Sequence, residues 1–243
     1  MHTLRRASDR GHADHGWLVA RHTFSFAEYH DPRHRGFRDL RVMNEDRIAP
    51  GRGFGTHPHR DMEIITLVLE GELEHKDSLD SSADGKPGSI LRPGELQAMS
   101  AGTGVLHSES NPSATDPTHL YQIWIKPDRR GVTPRYQQRA FPDAEKQNRW
   151  RLVASPDGAD DSLAIYQDAR VYQTKLDANA SLTHELAPGR HAWLQVLRGR
   201  LRIADLELAE GDGLAVSEEA AVDATAIEDS AAGYSEAILF DLP

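Results

Sequence analysis

Three histidines and one glutamate, spaced two by two, are the residues of this chain best suited to carry chemistry. His57-Pro58-His59 and His107-Ser108-Glu109 each set two ligating side chains at positions i and i+2. Successive side chains of an extended strand point to opposite faces, so each pair shares a face. Two such strands meeting inside a barrel would aim three imidazoles and a carboxylate at one point. That mixed nitrogen and oxygen set suits iron, manganese, nickel, copper or zinc, and suits calcium or magnesium poorly. A His-Pro-His on its own is weak evidence, because two histidines in a loop are more often surface residues. The second pair and the surrounding glycines give it meaning. Four protein ligands leave one or two coordination positions for a substrate oxygen, which is what separates a catalytic metal from a structural one.

The elements that must hold these side chains read as short strands cut by Gly, Pro, Asn and Asp turns, an all-β pattern. Glu63 to His75 gives an apolar run, a Glu70-Gly71 turn and an alternating strand, the chemistry of a hairpin. The polar stretch Asp77 to Gly88 reads as a loop, Ile90 to Met99 resumes strand and turn, and Tyr121 to Ile125 alternates cleanly. Residues 129–144 lose the alternation and carry Gly131, Pro134 and Pro142 among many charges, which predicts a linker between a first domain, 1–128, and a second, 145–243. The second half repeats a phrase of the first: Leu67-Val-Leu-Glu-Gly71-Glu-Leu-Glu aligns with Gln195-Val-Leu-Arg-Gly199-Arg-Leu-Arg. Pro93-Gly94-Glu95 aligns likewise with Glu210-Gly211-Asp212. A duplicated β-domain is the economical explanation.

Composition narrows the function classes. The 243 residues carry a formal charge of −10, which opposes attraction to phosphate backbones and anionic lipid. The densest basic stretch, Arg33 to Arg41, is broken by Asp39 and preceded by Asp31, so direct nucleic-acid binding is not expected. With no cysteine, disulfides, zinc fingers, iron–sulfur clusters and thiol nucleophiles are excluded, and any metal must sit on His and carboxylate. The first ten residues lack an apolar signal region, and no run approaches the ~20 apolar residues of a membrane-spanning helix. The expected compartment is the cytoplasm, without membrane attachment.

The spacing Gly51-(X)5-His57-X-His59-(X)3-Glu63…Gly71, then Gly94…Gly102…His107-(X)3-Asn111, resembles the two motifs of cupins, small antiparallel barrels that hold a metal inside. The phrases Phe54-Gly-Thr-His57-Pro-His59-Arg-Asp-Met-Glu63, His75-Lys-Asp-Ser78 and Met99-Ser-Ala-Gly-Thr-Gly104-Val-Leu-His107-Ser-Glu109 go further and resemble the pirin family of two-cupin proteins. His22-Thr-Phe-Ser-Phe26 and Leu120-Tyr-Gln-Ile-Trp124-Ile fit as well. The expected fold is therefore two tandem cupin domains.

In the general cupin pattern the motif Glu precedes the hairpin Gly by seven positions, whereas Glu63 precedes Gly71 by eight. A one-residue displacement turns a side chain to the other face unless a bulge intervenes. Glu109 is then the better ligand, in agreement with the three-His, one-Glu site that resemblance to pirins implies. Glu63 is left to hold a ligand imidazole from behind or to form a salt bridge. The second barrel reads as empty, with Glu185 opposite His57, Ala187 opposite His59 and no histidine after Gly211. The ten other histidines, among them His22, His75, His119, His184 and His191, read as surface or hydrogen-bonded residues.

Resemblance to bacterial pirins implies quercetin 2,3-dioxygenase activity, the O2-dependent opening of a flavonol with release of carbon monoxide. It implies one divalent transition metal, iron first, with nickel, manganese, copper, zinc and cobalt as alternatives. The small aromatic substrate would meet Phe54, Met99 and Phe26, with Phe24 and Trp124 expected as core, and Glu109 would be the base that takes the 3-hydroxyl proton. The alternative the family offers is a metal- or redox-sensing regulator that acts through a protein partner.

Overall fold

The computed structural model describes residues 1–79, 88–228 and 233–243. Residues 80–87, the middle of the expected Asp77–Gly88 loop, lie outside the described residues. Among the described residues no helix is long and apolar enough to cross a membrane. The chain forms two compact all-β units, one of residues 11–140 with 165–167, the other of residues 1–10, 141–164 and 168–243.

This division differs from the sequence expectation at both ends of the first domain. Strand β1 (His2–Arg5) pairs with the segment Gly213–Val216, so the first ten residues complete the second unit. The stretch 129–144 is not a bare linker: Arg135–Ala140 is a strand of the first unit and Asp143–Lys146 a helical turn, α1, of the second. Arg135–Ala140 lies half-buried along Glu95–Ser100, and its Tyr136 and Gln138 donate to Gln97 and Glu95 of that strand. Those pairings outweigh the Gly, Pro and charge content that suggested a linker.

In the first unit the strands are β2 (Gly11–Asp14), β3 (Leu18–His22), β4 (Leu40–Ile48), β5 (Gly53–His59), β6 (Glu63–Glu70), β7 (Leu73–Asp77), β8 (Ser89–Leu91), β9 (Glu95–Ser100), β10 (Val105–Ser110), β11 (Thr118–Ile125) and β12 (Arg135–Ala140). They build a seven-stranded antiparallel sheet, β12-β9-β6-β11-β4-β3-β2, and a four-stranded one, β5-β10-β7-β8. Pro58 is tolerated in β5 because this strand lies at a sheet edge, where a missing N–H costs no ladder bond.

The register of the large sheet explains the character of its inner face. His22 pairs with Asn44, Asn44 with Gln122, Gln122 with Thr66 and Thr66 with Gln97, so five polar side chains form one rung across five strands. On one side lies an apolar cluster of Ile64, Met99, Ala101 and Val105, with Met62, Leu79, Trp124 and Tyr136 packed on it. On the other lies Leu18, Ala20, Ile48, Val68 and Leu120 with Leu73 and Leu91 of the small sheet. Each fully buried Leu or Ile contributes roughly 1.5–3 kcal/mol, and these two layers hold the sheets together around a polar middle.

The second unit has β13 (Arg151–Ser155), β14 (Leu163–Ala164), β15 (Arg170–Asp177), β16 (Ser181–Glu185), β17 (His191–Arg198), β18 (Arg200–Ile203), β19 (Leu206–Ala209), β20 (Gly213–Val216), β21 (Ala221–Ala226) and β22 (Tyr234–Leu242). Its sheets, β1-β20-β17-β22-β15-β13-β14 and β16-β21-β18-β19, repeat the seven-plus-four arrangement. The repeated phrase occupies the same place in both: β6-Gly71-β7 and β17-Gly199-β18, with φ of +75° and +74° at the two glycines. Only glycine adopts that backbone without strain, which is why it stands at both turns. Here one continuous apolar cluster, from Leu176 and Leu194 to Leu201, Val222 and Leu239, fills the space between the sheets.

Candidate metal centre

The two sequence pairs lie on neighbouring strands. β5 and β10 run antiparallel with His107 directly opposite His57 and Val105 opposite His59. Between His107 and Glu109 the register slips, so that Glu109 pairs with Phe54. Side-chain nitrogens of His57, His59 and His107 all lie within 4.8 Å of one another, and the Nε2 atoms of His57 and His107 are 3.0 Å apart. Two nitrogens bound at about 2.1 Å and at right angles to one ion stand about 3 Å apart, so the spacing fits a shared cation.

The protonation pattern favours the same reading. His57 Nδ1–H donates to the Gly55 carbonyl at 2.8 Å, which leaves Nε2 as a lone pair facing the centre. In the absence of an ion, Nε2–H of His107 must then be the donor between the two rings. Burial, with the nearby His57 next, holds His59 down to about 4 against the pull of Glu109. Burial likewise brings His107 to about 4, with Glu109 pulling upward and three neighbouring histidines pushing down. Neutral imidazoles at ordinary pH are what a metal requires.

Glu109 stands inside the barrel, 1 % exposed. Its Oε2 accepts from Gln122 Nε2 at 2.6 Å, and its Oε1 from Gln97 Nε2 at 3.4 Å. Burial pushes its carboxyl up, but the adjoining His75 and His107 rings and the Gln122 amide bring it below the usual carboxylate range. Glu109 groups with His107 and His75, within 4.8 Å of one another, while His57 and His59 group with His107. His107 thus belongs to two overlapping triads, and these are the groups with metal-ligand potential among the described residues.

His75, expected as a surface or hydrogen-bonded residue, is buried directly opposite Glu109 on β7. Its Nε2 bonds Asp77 at 3.0 Å, its Nδ1 lies 3.3 Å from Gln97 Nε2, and its ring stacks on Tyr136 at 4.7 Å. Burial pushes His75 down, yet Asp77 and Glu109 outweigh it and leave it above its ordinary value. Trp124, expected as core, meets the His59 ring edge-to-face at 4.9 Å. Gln97, Gln122 and Tyr136 were not singled out from the sequence. The signal for the two amides was there, a lone polar residue within an apolar strand, as in Leu96-Gln97-Ala98-Met99 and Ile123 beside Gln122.

Three expected pocket residues take other positions. Phe54, set opposite Glu109 by the register slip in β5, packs on the apolar cluster around Leu73 and edge-to-face with Trp17 at 5.3 Å. Met99 is wholly buried beneath Trp124 and Tyr136. Phe26 reaches the histidines through Trp124, its ring 5.4 Å away in a T-shaped contact. Glu63 holds no ligand imidazole: its Oε2 accepts from Ser100 Oγ at 2.7 Å on the opposite side of β6 from Ile64. Burial pushes its carboxyl up to about 7, against the Ser100 and Tyr166 hydrogen bonds.

In the second unit, Glu185 is exposed and His184 is the buried residue, opposite Val222, one position from the expected register. His184 Nε2 bonds Asp241 at 3.0 Å, and Arg190 closes on the same carboxylate. Among the described residues no metal-ligating group occurs in this unit.

Comparison with known proteins agrees with this geometry. A sequence profile described as Pirin matches residues 3–125, and one described as Quercetinase C-terminal cupin domain matches residues 152–242. The chain is 48% identical over 240 residues to quercetin 2,3-dioxygenase of Escherichia coli K12, covering 99% of this chain and 98% of that one. It is 40% identical over 221 residues to a pirin-like protein of Caulobacter vibrioides, covering 90% and 92% of the two chains. The crystal structure of the Escherichia coli bacterial pirin YhhW in complex with nickel(II) superposes with a TM-score of 0.91, at 49% identity, over 100% of this chain and 99% of that one. The converging imidazoles, the duplicated barrel and these matches together place the chain in the pirin family, with two cupin domains.

Proposed function

We propose that this chain is a metal-dependent flavonol 2,3-dioxygenase that converts quercetin and O2 to a ring-opened ester and carbon monoxide. The observation that carries the reading is the convergence of His57, His59 and His107 beside the buried, anionic Glu109. The name of the 48%-identical relative supports the substrate class. His57, His59 and His107 would hold one divalent ion, with Glu109 as the fourth ligand. A bound ion of this kind supplies Lewis-acid polarisation of the flavonol 3-hydroxyl.

The remaining work falls to the chain's own side chains. Glu109 Oε2 is committed to Gln122 at 2.6 Å, so Oε1, with its longer contacts to Gln97 Nε2 at 3.4 Å and His75 Nδ1 at 3.9 Å, is the atom that takes the 3-hydroxyl proton. Trp124, backed by Phe26, offers an apolar wall beside His59 for a flat aromatic ring. That wall also keeps water from the reacting ring. Nickel binding to the YhhW pirin supports a divalent ion without deciding its identity here.

The test is aerobic incubation of metal-reconstituted protein with quercetin, following the flavonol absorbance and carbon monoxide together. Loss of absorbance with stoichiometric carbon monoxide supports the reading. Tight metal binding without flavonol loss would turn it to the regulatory alternative, and turnover that survives His57→Ala would place the chemistry elsewhere.

A further inference from the structure

Glu109 projects from the small sheet, and the group that grips it most closely comes from the large sheet across the barrel. Gln122 Nε2 reaches Oε2 at 2.6 Å, the shortest contact Glu109 makes among the described residues. An amide can be turned either way round, and only one way offers a donor to a carboxylate. Here the choice is set by a third residue. The Trp124 indole N–H, which can only donate, bonds Gln122 Oε1 at 3.2 Å. With Oε1 occupied, the amino end must face Glu109. The same indole lies edge-to-face on His59, so one side chain touches a candidate ligand of β5 and orients the partner of a candidate ligand of β10.

We propose that Trp124 and Gln122 are positioning residues that act as one unit: the indole N–H fixes the polarity of the Gln122 amide, and the amide fixes Glu109 in the orientation needed to complete the three-histidine centre. This rests on the metal-centre reading above and deepens it. Residues behind metal ligands typically account for 10- to 100-fold in affinity or activity when lost, and this pair falls in that class. A reversed amide would place oxygen against carboxylate, and the carboxylate would swing away from the histidines. Gln97, at 3.4 Å and shared with Thr66 and His75, and His75 Nδ1, at 3.9 Å, both meet the other oxygen and are too loosely placed to compensate.

The experiment measures cobalt(II) affinity and the visible absorption of the cobalt-loaded protein for wild type, Trp124→Phe, Gln122→Leu and the double variant, with melting of the metal-free proteins as the folding control. Trp124→Phe keeps an aromatic ring at this position and removes the N–H with part of the indole, a packing loss that the melting control registers. Expected is an affinity loss of about 10-fold for Trp124→Phe and about 10- to 100-fold for Gln122→Leu, each with an altered cobalt spectrum. The double variant should match Gln122→Leu, because the indole then has no amide to orient. Fully additive losses, or unchanged spectra in well-folded single variants, would overturn the proposal. Wild type that binds cobalt with an ordered spectrum yet leaves flavonols intact would fail the dioxygenase reading and leave this one standing. Wild type that binds no cobalt would sink both.

Discussion

His107 and His57 face one another across the β5–β10 ladder as a directly paired couple, their Nε2 atoms 3.0 Å apart. Cross-strand pairing alone brings two imidazole nitrogens to this distance, and His59 joins them by the two-residue period of its strand. The centre is therefore made by register, and its first consequence is compositional. His107→Ala should lower nickel or iron affinity by more than about 100-fold, beyond what loss of a residue behind a ligand costs. Elemental analysis after dialysis checks it, and full metal content in the variant would refute the ligand assignment.

Because the pair depends on the ladder, backbone crowding along it should reach the metal. A Cβ at Gly53 would lie 2.2 Å from the Glu109 carbonyl oxygen and 2.5 Å from Ser110 Cα. Gly53→Ala must push β5 off β10, and metal affinity is expected to fall about 10-fold or more while the second unit stays folded. Isothermal titration with nickel, alongside circular dichroism, separates the two effects.

If Glu109 takes the substrate proton, its isosteric amide cannot. Glu109→Gln is expected to reduce kcat by about 10²- to 10⁴-fold, the range of general-base catalysis. Stopped-flow with quercetin measures it. Wild-type turnover in the variant would remove the carboxylate from the mechanism.

The pH dependence follows from the depressed histidines. His59 and His107 each titrate at about 4 when folded, against an ordinary 6.5. Between those values the unfolded chain binds more protons, so these two groups add stability as pH rises from about 4 to 6.5 and withdraw it as pH falls. Ring-proton NMR of the metal-free protein should show both imidazoles neutral down to about pH 4. Midpoints near 6.5 would contradict the burial that causes the shift.

Glu63 predicts the opposite sign. Its folded carboxyl titrates at about 7 against an ordinary 4.5, so the stability it contributes is present at low pH and lost as pH rises through 7. Glu63→Gln should stabilise the protein at pH 8, on the order of 2–3 kcal/mol, and change little at pH 4. Urea melts at the two pH values decide it, and equal effects at both would show that burial does not disfavour the carboxylate.

The part of this molecule legible in its sequence is the part written in local periods. His57, His59, His107 and Glu109 could be paired by counting to two, and Gly71 and Gly199 announced a duplicated hairpin because a left-handed turn admits little else. What escaped depends on which strands become neighbours. His75 enters the centre because β7 pairs with β10, and Gln122 meets Glu109 because two sheets face each other. Phe54 packs on the Leu73 cluster and Trp17, partners that its spacing from His57 does not announce. Strand β1 joined the second unit through a pairing with β20, where His2 lies opposite Val216.

That last pairing has a consequence for how the molecule is made. His2 leaves the ribosome long before its partner Val216, and at 5–20 residues per second the wait is roughly 10 to 40 s. During that interval the strands from Gly11 onward can close their own barrel, while His2–Arg5 waits for Gly213–Val216 to be synthesised. A cut between the barrels would therefore release a carboxy-terminal piece with an open sheet edge, and an amino-terminal piece still carrying the strand meant to cover it.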